Sequence, residues 1–277
     1  MRVLVTNDDG FDAPGLAALA RALVDAGHDV IVVAPLIEAS GAGAGIGPVH
    51  LRRRGIRAET VTPAGLEAIE VIAADALPAL IVITACLGEF GPLPDLVVSG
   101  INPGRNVGRA VLHSGTVGAA LTAVEFGLKG LATSIQAGAV PTTYESADGS
   151  HMHFESAAKL AVALACELEK APDRTALNLN VPNLPLAEIR GIRRAHLAKS
   201  GLNFLGSVKD HPPAPQPDPG AELALTGQSS PEESDDALTE RGWAVVTPLV
   251  TVTEDQRRDV ADFVTNALGS LSGLIGI

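Results

Sequence analysis

The sequence predicts an α/β fold built on a doubly wound, mostly parallel sheet. Three observations predict it. Short all-apolar runs at Val3–Thr6 and Val30–Ala34 flank a segment of helical spacing, Leu16, Leu19, Ala20 and Leu23, and strand–helix–strand order implies parallel pairing. The same alternation returns through residue 180. Glycine- and asparagine-rich loops stand where the strands would end.

In chain order, Val3–Thr6 reads as a buried strand, Gly15–Ala26 as a helix ended by Gly27, and Val30–Ala34 as the second strand. Pro35–Pro48, with glycine at every second position from Gly41 to Gly47, reads as a loop. Glu70–Ile72 reads as a strand. The apolar run Val71–Leu87, broken by Asp75 and Pro78, reads from about Ala74 as a buried helix rather than a membrane span. Asp95–Ser99 is a strand and Gly100–Gly108 a second polar loop. Thr116–Phe126 is a helix, Ala132–Ile135 a strand, Phe154–Glu169 a helix and Ala176–Asn180 a strand. Beyond Pro182 the pattern changes. Ile189–His196 and Trp243–Val252 read as strands and Glu254–Leu268 as a helix. Lys209–Asp236 is a Pro-, Asp- and Ser-rich arm.

Composition narrows the function. A net charge of −12 over 277 residues argues against a nucleic-acid polymer as partner. The cysteines Cys86 and Cys166 both stand in apolar contexts, which speaks against a disulfide framework or a zinc site. Asp8 and Asp9 come too early for a signal peptide, so a cytoplasmic protein with no membrane partner is expected.

The loops at the carboxyl ends of the strands should converge, because doubly wound sheets bind ligands there. Asp8 and Asp9 are adjacent carboxylates at a strand exit. Two readings stay open: a solvated turn, or a hard divalent cation held with neutral oxygens such as those of Ser40 and Asn102. Gly41–Gly47 accommodates no G-x-G-x-x-G, and the chain has no phosphate-binding P-loop motif. That loop is either a flexible connection or a cradle of N–H groups for an anion. Ser114, Gly115 and Thr116 precede a helix, as an ordinary N-cap or as a phosphate site at a helix N-terminus. His113 beside them is a general acid or a rim residue. His151 and His153 read as surface residues at a helix entry, and Asp235–Asp236 as part of the solvated arm, with a buried structural carboxylate as the alternative.

With those residues in view the chain resembles the SurE family of metal-dependent phosphatases. The matching motifs are NDDG with APG (7–15), VVAP and SGA (32–42), PDLVVSGIN with NVG (94–108), SGTVGAA (114–120), LNLNVP (177–182) and WAVVTPL (243–249). The resemblance implies Asp8, Asp9, Ser40 and Asn102 as ligands of one Mg²⁺ or Mn²⁺ per subunit. It implies catalytic roles for Asp8, Asp9, Ser114 and Thr116, and phosphate contacts from Asn7, Gly41, His113, Ser114, Gly115 and Thr116. The expected activity is hydrolysis of nucleoside 5′-monophosphates or related small phosphate esters. The resemblance also implies a Rossmann-like form of the sheet with a C-terminal extension. The expected organisation is a core over 1–185 and an extension over 186–277, comprising strands, an arm and a terminal helix that join subunits into a homodimer or homotetramer. The apolar tail from Leu268 to Ile277 fits that use. Four stretches depart from the family. Val71–Ala76 keeps only Asp75 of the usual Gly-Thr-Pro-x-Asp-Cys, and the loop after Ser40 has Ala and Gly for Asn and Ser. Ile37-Glu38-Ala39 stands where a polar group such as arginine is usual, and His113 replaces a tyrosine. Together they point to an altered substrate side. A metal-binding module with little turnover, or a phosphatase for a sugar phosphate, is the alternative. A sugar-nucleotide transferase would need a second nucleotide domain, for which the residues after 180 are too few.

Overall fold

The computed structural model describes residues 1–49, 55–136, 152–199, 232–253, 258–260 and 262. His151, nearly all of the arm, most of the expected terminal helix and the apolar tail lie outside them.

Among the described residues nine strands form one sheet. They are β1 (Arg2–Thr6), β2 (Asp29–Pro35), β3 (Ala58–Val61), β4 (Val71–Ala74), β5 (Leu96–Asn102), β6 (Lys129–Ile135), β7 (Ala176–Val181), β8 (Ile192–Arg194) and β9 (Ala244–Leu249). Their spatial order is β3-β4-β2-β1-β5-β6-β7-β9-β8. The six strands from β4 to β7 are mutually parallel, β3 and β9 run antiparallel to their inner neighbours, and β8 runs parallel to β9. The residues after 185 therefore continue the core sheet through β9 and β8.

The helices are α1 (Pro14–Asp25), α2 (Pro78–Cys86), α3 (Gly115–Glu125), α4 (Phe154–Leu168) and α5 (Asp235–Glu240). Helices α1 and α4 cover one face, where Leu16, Leu19, Leu23, Ala157 and Ala161 pack on Val3, Val5, Val98 and Leu131. Helices α2 and α3 cover the other, with Leu80, Ile81, Ala119 and Ala123 against Leu4, Val33 and Val97. With few aromatic side chains, the core depends on alanine and glycine to bring layers close. At Gly130 a Cβ would stand 2.2 Å from the carbonyl oxygen of Ala120 in α3.

Several expectations shift. Within the apolar run Val71–Leu87, the strand expected at Glu70–Ile72 is β4, and the helix expected from about Ala74 begins only at Pro78, as α2. Asp75 breaks the run, its N–H bonding the Arg57 carbonyl at 2.8 Å. Pro78 opens α2, where its missing N–H costs nothing. Strand β3 has mostly exposed residues, so it carries no apolar run to betray it. The strands expected over Ile189–His196 and Trp243–Val252 shrink to β8 and β9. The polar loop expected at 100–108 begins later, because β5 continues through Asn102, and a short 3-10 turn, Gly108–His113, follows it. No helix among the described residues is long and apolar enough to cross a membrane.

Replacing Gly130 with Ala must push α3 off β6. The expected cost is about 1–3 kcal/mol, read as a lower urea midpoint with an unchanged slope. An unchanged midpoint would count against this packing.

Candidate active site at the switch point of the sheet

Strand order reverses on either side of β1, so the crevice between the carboxyl ends of β1 and β5 is the natural ligand site. Asp8 and Asp9 leave β1 on one side of it and Asn102 ends β5 on the other. The turn after β1 is closed by Asn7. Its Nδ2 donates to the Gly10 carbonyl at 2.8 Å, and its Oδ1 accepts the Gly10 N–H at 3.3 Å. Asn7 is fully buried, and its side chain shapes the turn from within.

Asp8 is buried and aimed at the start of α3. Thr116 Oγ1 donates to Asp8 Oδ1 at 2.6 Å. Backbone N–H groups of Asp8, Thr116 and Gly115 also reach the carboxylate. Burial raises the Asp8 pKa, and these hydrogen bonds act against that rise. Gly115 is required by the contact, since a Cβ there would lie 2.8 Å from both Cβ and Oδ2 of Asp8. Ser114 caps the same helix, its Oγ accepting the Val117 N–H at 3.1 Å. The N-cap reading of Ser114 is thus met by the helix, while Gly115 and Thr116 pack and bond against Asp8.

Asp9 is only half-buried, yet its Oδ2 is shut away from water and has no hydrogen-bond partner. Its pKa is pushed up to about 8, first by burial and then by the charges of Asp8 and Glu38. An unpartnered carboxylate oxygen beside a second carboxylate is a place where a divalent cation would remove both the desolvation and the repulsion. The oxygen-only donor set suits a hard ion.

The glycine-rich loop reaches this point by two backbone bonds. The Ala39 N–H donates to the Asp8 carbonyl at 2.7 Å and the Gly43 N–H to the His113 carbonyl at 3.1 Å. Its glycines serve close packing: a Cβ at Gly118 of α3 would stand 2.3 Å from the Gly43 carbonyl oxygen. Ser40 is exposed, and its Oγ donates to Glu38 Oε1 at 2.8 Å. Asn102 is held by its Nδ2, which donates to the Gly104 carbonyl at 2.6 Å. His113 is exposed at the rim, beside Gly43. His153 stands apart at the entry of α4. Among the described residues no three of His, Cys, Asp and Glu gather in one place, so a cation here would need neutral oxygens as well.

The family model described as "Survival protein SurE" matches residues 3–203. The chain belongs to the SurE family. A protein named 5'-nucleotidase SurE from Xanthomonas campestris pv. campestris (strain B100) is 37% identical over 269 residues, covering 94% of this chain and 93% of that one. Another of the same name from Xanthomonas euvesicatoria pv. vesicatoria is 35% identical over 284 residues, covering 99% of each. The crystal structure of the SurE protein from Aquifex aeolicus superposes with a TM-score of 0.69 at 25% identity, covering 97% of this chain and all of that one. The doubly wound fold expected from the sequence is thus the SurE fold.

Sequence reasoning missed the polar scaffold behind the crevice. The Asn106 carbonyl accepts Asn178 Nδ2 at 2.8 Å and Asn180 Nδ2 at 2.9 Å. Asn106 N–H donates to Asn180 Oδ1, and its Nδ2 to Ser134 Oγ, both at 2.8 Å. Two asparagines at i and i+2 in an otherwise apolar strand, LNLNV, were the available signal, since both must face one side of the sheet. The placement of Asp235 in a solvated arm is corrected: Asp235 is fully buried at the start of α5.

The sign of the pH dependence follows from Asp9. Its carboxyl holds a proton more tightly folded, at about 8, than at the ordinary 3.8 of the unfolded chain. The fold is favoured below that ordinary value, and the advantage is lost as pH rises through the folded one. Asp8, also raised, acts with the same sign. In chelator the melting temperature should fall from about pH 4 to about pH 8, and less so for Asp9→Asn. A gap of about 2–4 °C per kcal/mol recovered is expected at the upper end. Parallel curves for the two proteins would refute the assignment.

Proposed function

We propose that the chain is a divalent-cation-dependent phosphoric monoester hydrolase of the 5′-nucleotidase type, acting on nucleoside 5′-monophosphates or related small phosphate esters. The observation that carries this reading is the Asp8–Asp9 pair at the switch point, with Asp8 held against the N-terminus of α3 and Asp9 Oδ2 buried without a partner among the described residues. The name shared by the Xanthomonas relatives supports the substrate class. Asp8, Asp9, Ser40 and Asn102 would hold one Mg²⁺ or Mn²⁺ per subunit. Bound there, the ion supplies neutralisation of the charge on the phosphoryl oxygens.

The chain's own groups do the rest. Thr116 Oγ1 fixes Asp8 through Oδ1, which leaves Oδ2 to orient the attacking water and take its proton. Asp9 and Asp8 face the phosphoryl group from the exit of β1. Ser114, Gly115 and Thr116 face it from the helix N-terminus, where backbone N–H groups favour an anion. Gly41 and His113 close the rim, joined through the Gly43 bond. Asn7 acts through the shape of its turn.

A second reading, a SurE-like metal-binding module with little turnover or a phosphatase for sugar phosphates, is favoured by one feature. The segment Val71–Ala74, where the family usually places Gly-Thr-Pro, is an apolar and largely buried strand. Asp75 after it lies 3.3 Å from Arg57. The altered loop is expected to broaden the substrate range beyond nucleotides.

Phosphate release from nucleoside 5′-monophosphates and from p-nitrophenyl phosphate, with Mg²⁺ or Mn²⁺ and with chelator, tests these readings. Release that stops in chelator and falls at least about a hundredfold in Asp9→Asn is expected, a loss of nearly 3 kcal/mol of transition-state stabilisation. Release under no ion would favour the binding module. A nucleotide preference above about tenfold, or 1.4 kcal/mol, would count against the broadened range.

Assembly and location belong to the same proposal: a cytoplasmic homodimer or homotetramer built through the extension over 186–277. Leu268, Leu271, Leu274, Ile275 and Ile277 are separated only by Gly and Ser, and each covered side chain contributes about 1.5–3 kcal/mol. Light scattering should give at least a dimer for the intact chain and a smaller species after truncation at Asn266. A monomeric intact chain would overturn it.

A further inference from the structure

The buried carboxylate that the mechanism above does not use is Asp235. It is fully buried and opens α5, 127 positions away in sequence from the residue it touches in the active-site loop. Its Oδ2 accepts the Gly108 N–H at 2.9 Å. Its Oδ1 accepts the Ala198 N–H and the Asp236 N–H, at 2.8 and 2.9 Å. Gly108 is the first residue of the 3-10 turn Gly108–His113, which leads directly into Ser114 and the N-terminus of α3. On the other side of Gly108 the chain runs back through Asn106 to Asn102. Arg105 in that stretch adds an outer tie, with Nη1 2.9 Å from Asp236 Oδ1 and Nη2 3.5 Å from Glu240 Oε1. The loop that carries the Asn102 and Ser114–Thr116 groups is thus fastened at its midpoint to the C-terminal segment.

We propose that Asp235 is a positioning residue for the reaction: through the Gly108 N–H it fixes the loop from Asn102 to Thr116 from the C-terminal segment, and so sets where α3 presents its N-terminus to Asp8. The proposal rests on the reading of the site as a phosphate-ester hydrolase. The carboxylate suits the task because it accepts from three backbone donors on three segments at once. A neutral amide in its place keeps one accepting oxygen and turns an N–H₂ toward a backbone N–H.

The test compares full-length Asp235→Asn with Leu238→Ala. Leu238 is buried in the small cluster with Ala195 and Val245, a cluster that includes no residue of the loop, so its loss loosens the same segment and leaves the Asp235–Gly108 bond in place. Two readings are taken well below the melting temperature. One is kcat and KM with saturating Mn²⁺. The other is hydrogen exchange of the amides from Gly108 to Thr116. For Asp235→Asn the expected result is a fall in kcat of about tenfold with KM changed less than about threefold, together with exchange at least about tenfold faster over Gly108–Thr116 and unchanged in α1. These fold-changes each correspond to 1.4 kcal/mol per factor of ten. Leu238→Ala should lower the melting temperature and leave both readings as in the parent. An unchanged kcat in Asp235→Asn, an unchanged loop exchange, or a kcat that falls equally in Leu238→Ala overturns the proposal. If Asp235→Asn does not fold, Arg105→Gln cuts the outer tie at the surface and is expected to lower kcat about threefold at constant KM; no change overturns the proposal. A parent chain that hydrolyses no phosphate ester with any ion defeats the reading of the site, and the exchange measurement alone then decides whether Asp235 holds the loop.

Discussion

Everything at the candidate site depends on one contact, the buried carboxylate of Asp8 against the first turn of α3. A carboxylate loses its water when it leaves β1 into the crevice, and that loss has to be offset by donors. Thr116 Oγ1 and the backbone N–H groups of Gly115 and Thr116 supply them. The helix N-terminus gains an anion in return, which favours both partners. The contact also dictates composition. Gly115 leaves room for Asp8, and Gly118 one turn on leaves room for Gly43. Strand, helix and glycine-rich loop therefore meet as one unit rather than as three independent loops.

Asp9 stands in a different position one residue later. It receives no comparable set of donors, and its Oδ2 is orphaned. The two neighbouring carboxylates therefore differ: Asp8 is satisfied by the helix, whereas Asp9 keeps an oxygen that has no partner among the described residues.

Behind the crevice the sheet is wired by amides rather than packed by apolar groups. Asn178, Asn180 and Ser134 all bond Asn106, and Asp235 bonds Gly108 two residues later. Buried polar groups of this kind stabilise modestly when satisfied and cost heavily when left unpaired. Their effect is to define one position for the loop and exclude its neighbours. This explains why an apolar strand carries two asparagines, and why β9 and α5 return to the core sheet instead of forming a separate layer.

The sequence by itself determined the doubly wound sheet, its helices α1, α3 and α4, and the convergence of the three loops. Strand and helix periods are written in local apolar patterns, and parallel order places all their carboxyl ends on one edge. It also singled out Asp8 and Asp9, since adjacent carboxylates at a buried strand exit leave two readings, a solvated turn or a cation site. Other features were decided only in the tertiary structure. Strand β3 has no apolar pattern of its own and exists because β4 offers an edge. The end of β4 at Ala74 and the late start of α2 at Pro78 were set by the sheet position that β4 fills. Asp235 reads as a solvated acid in its Ser-, Glu- and Asp-rich neighbourhood, and becomes a buried anchor because Gly108, 127 residues away, brings it an N–H. Local sequence records which side chains want burial, whereas a hydrogen bond between distant segments exists only once the chain has brought its two halves together.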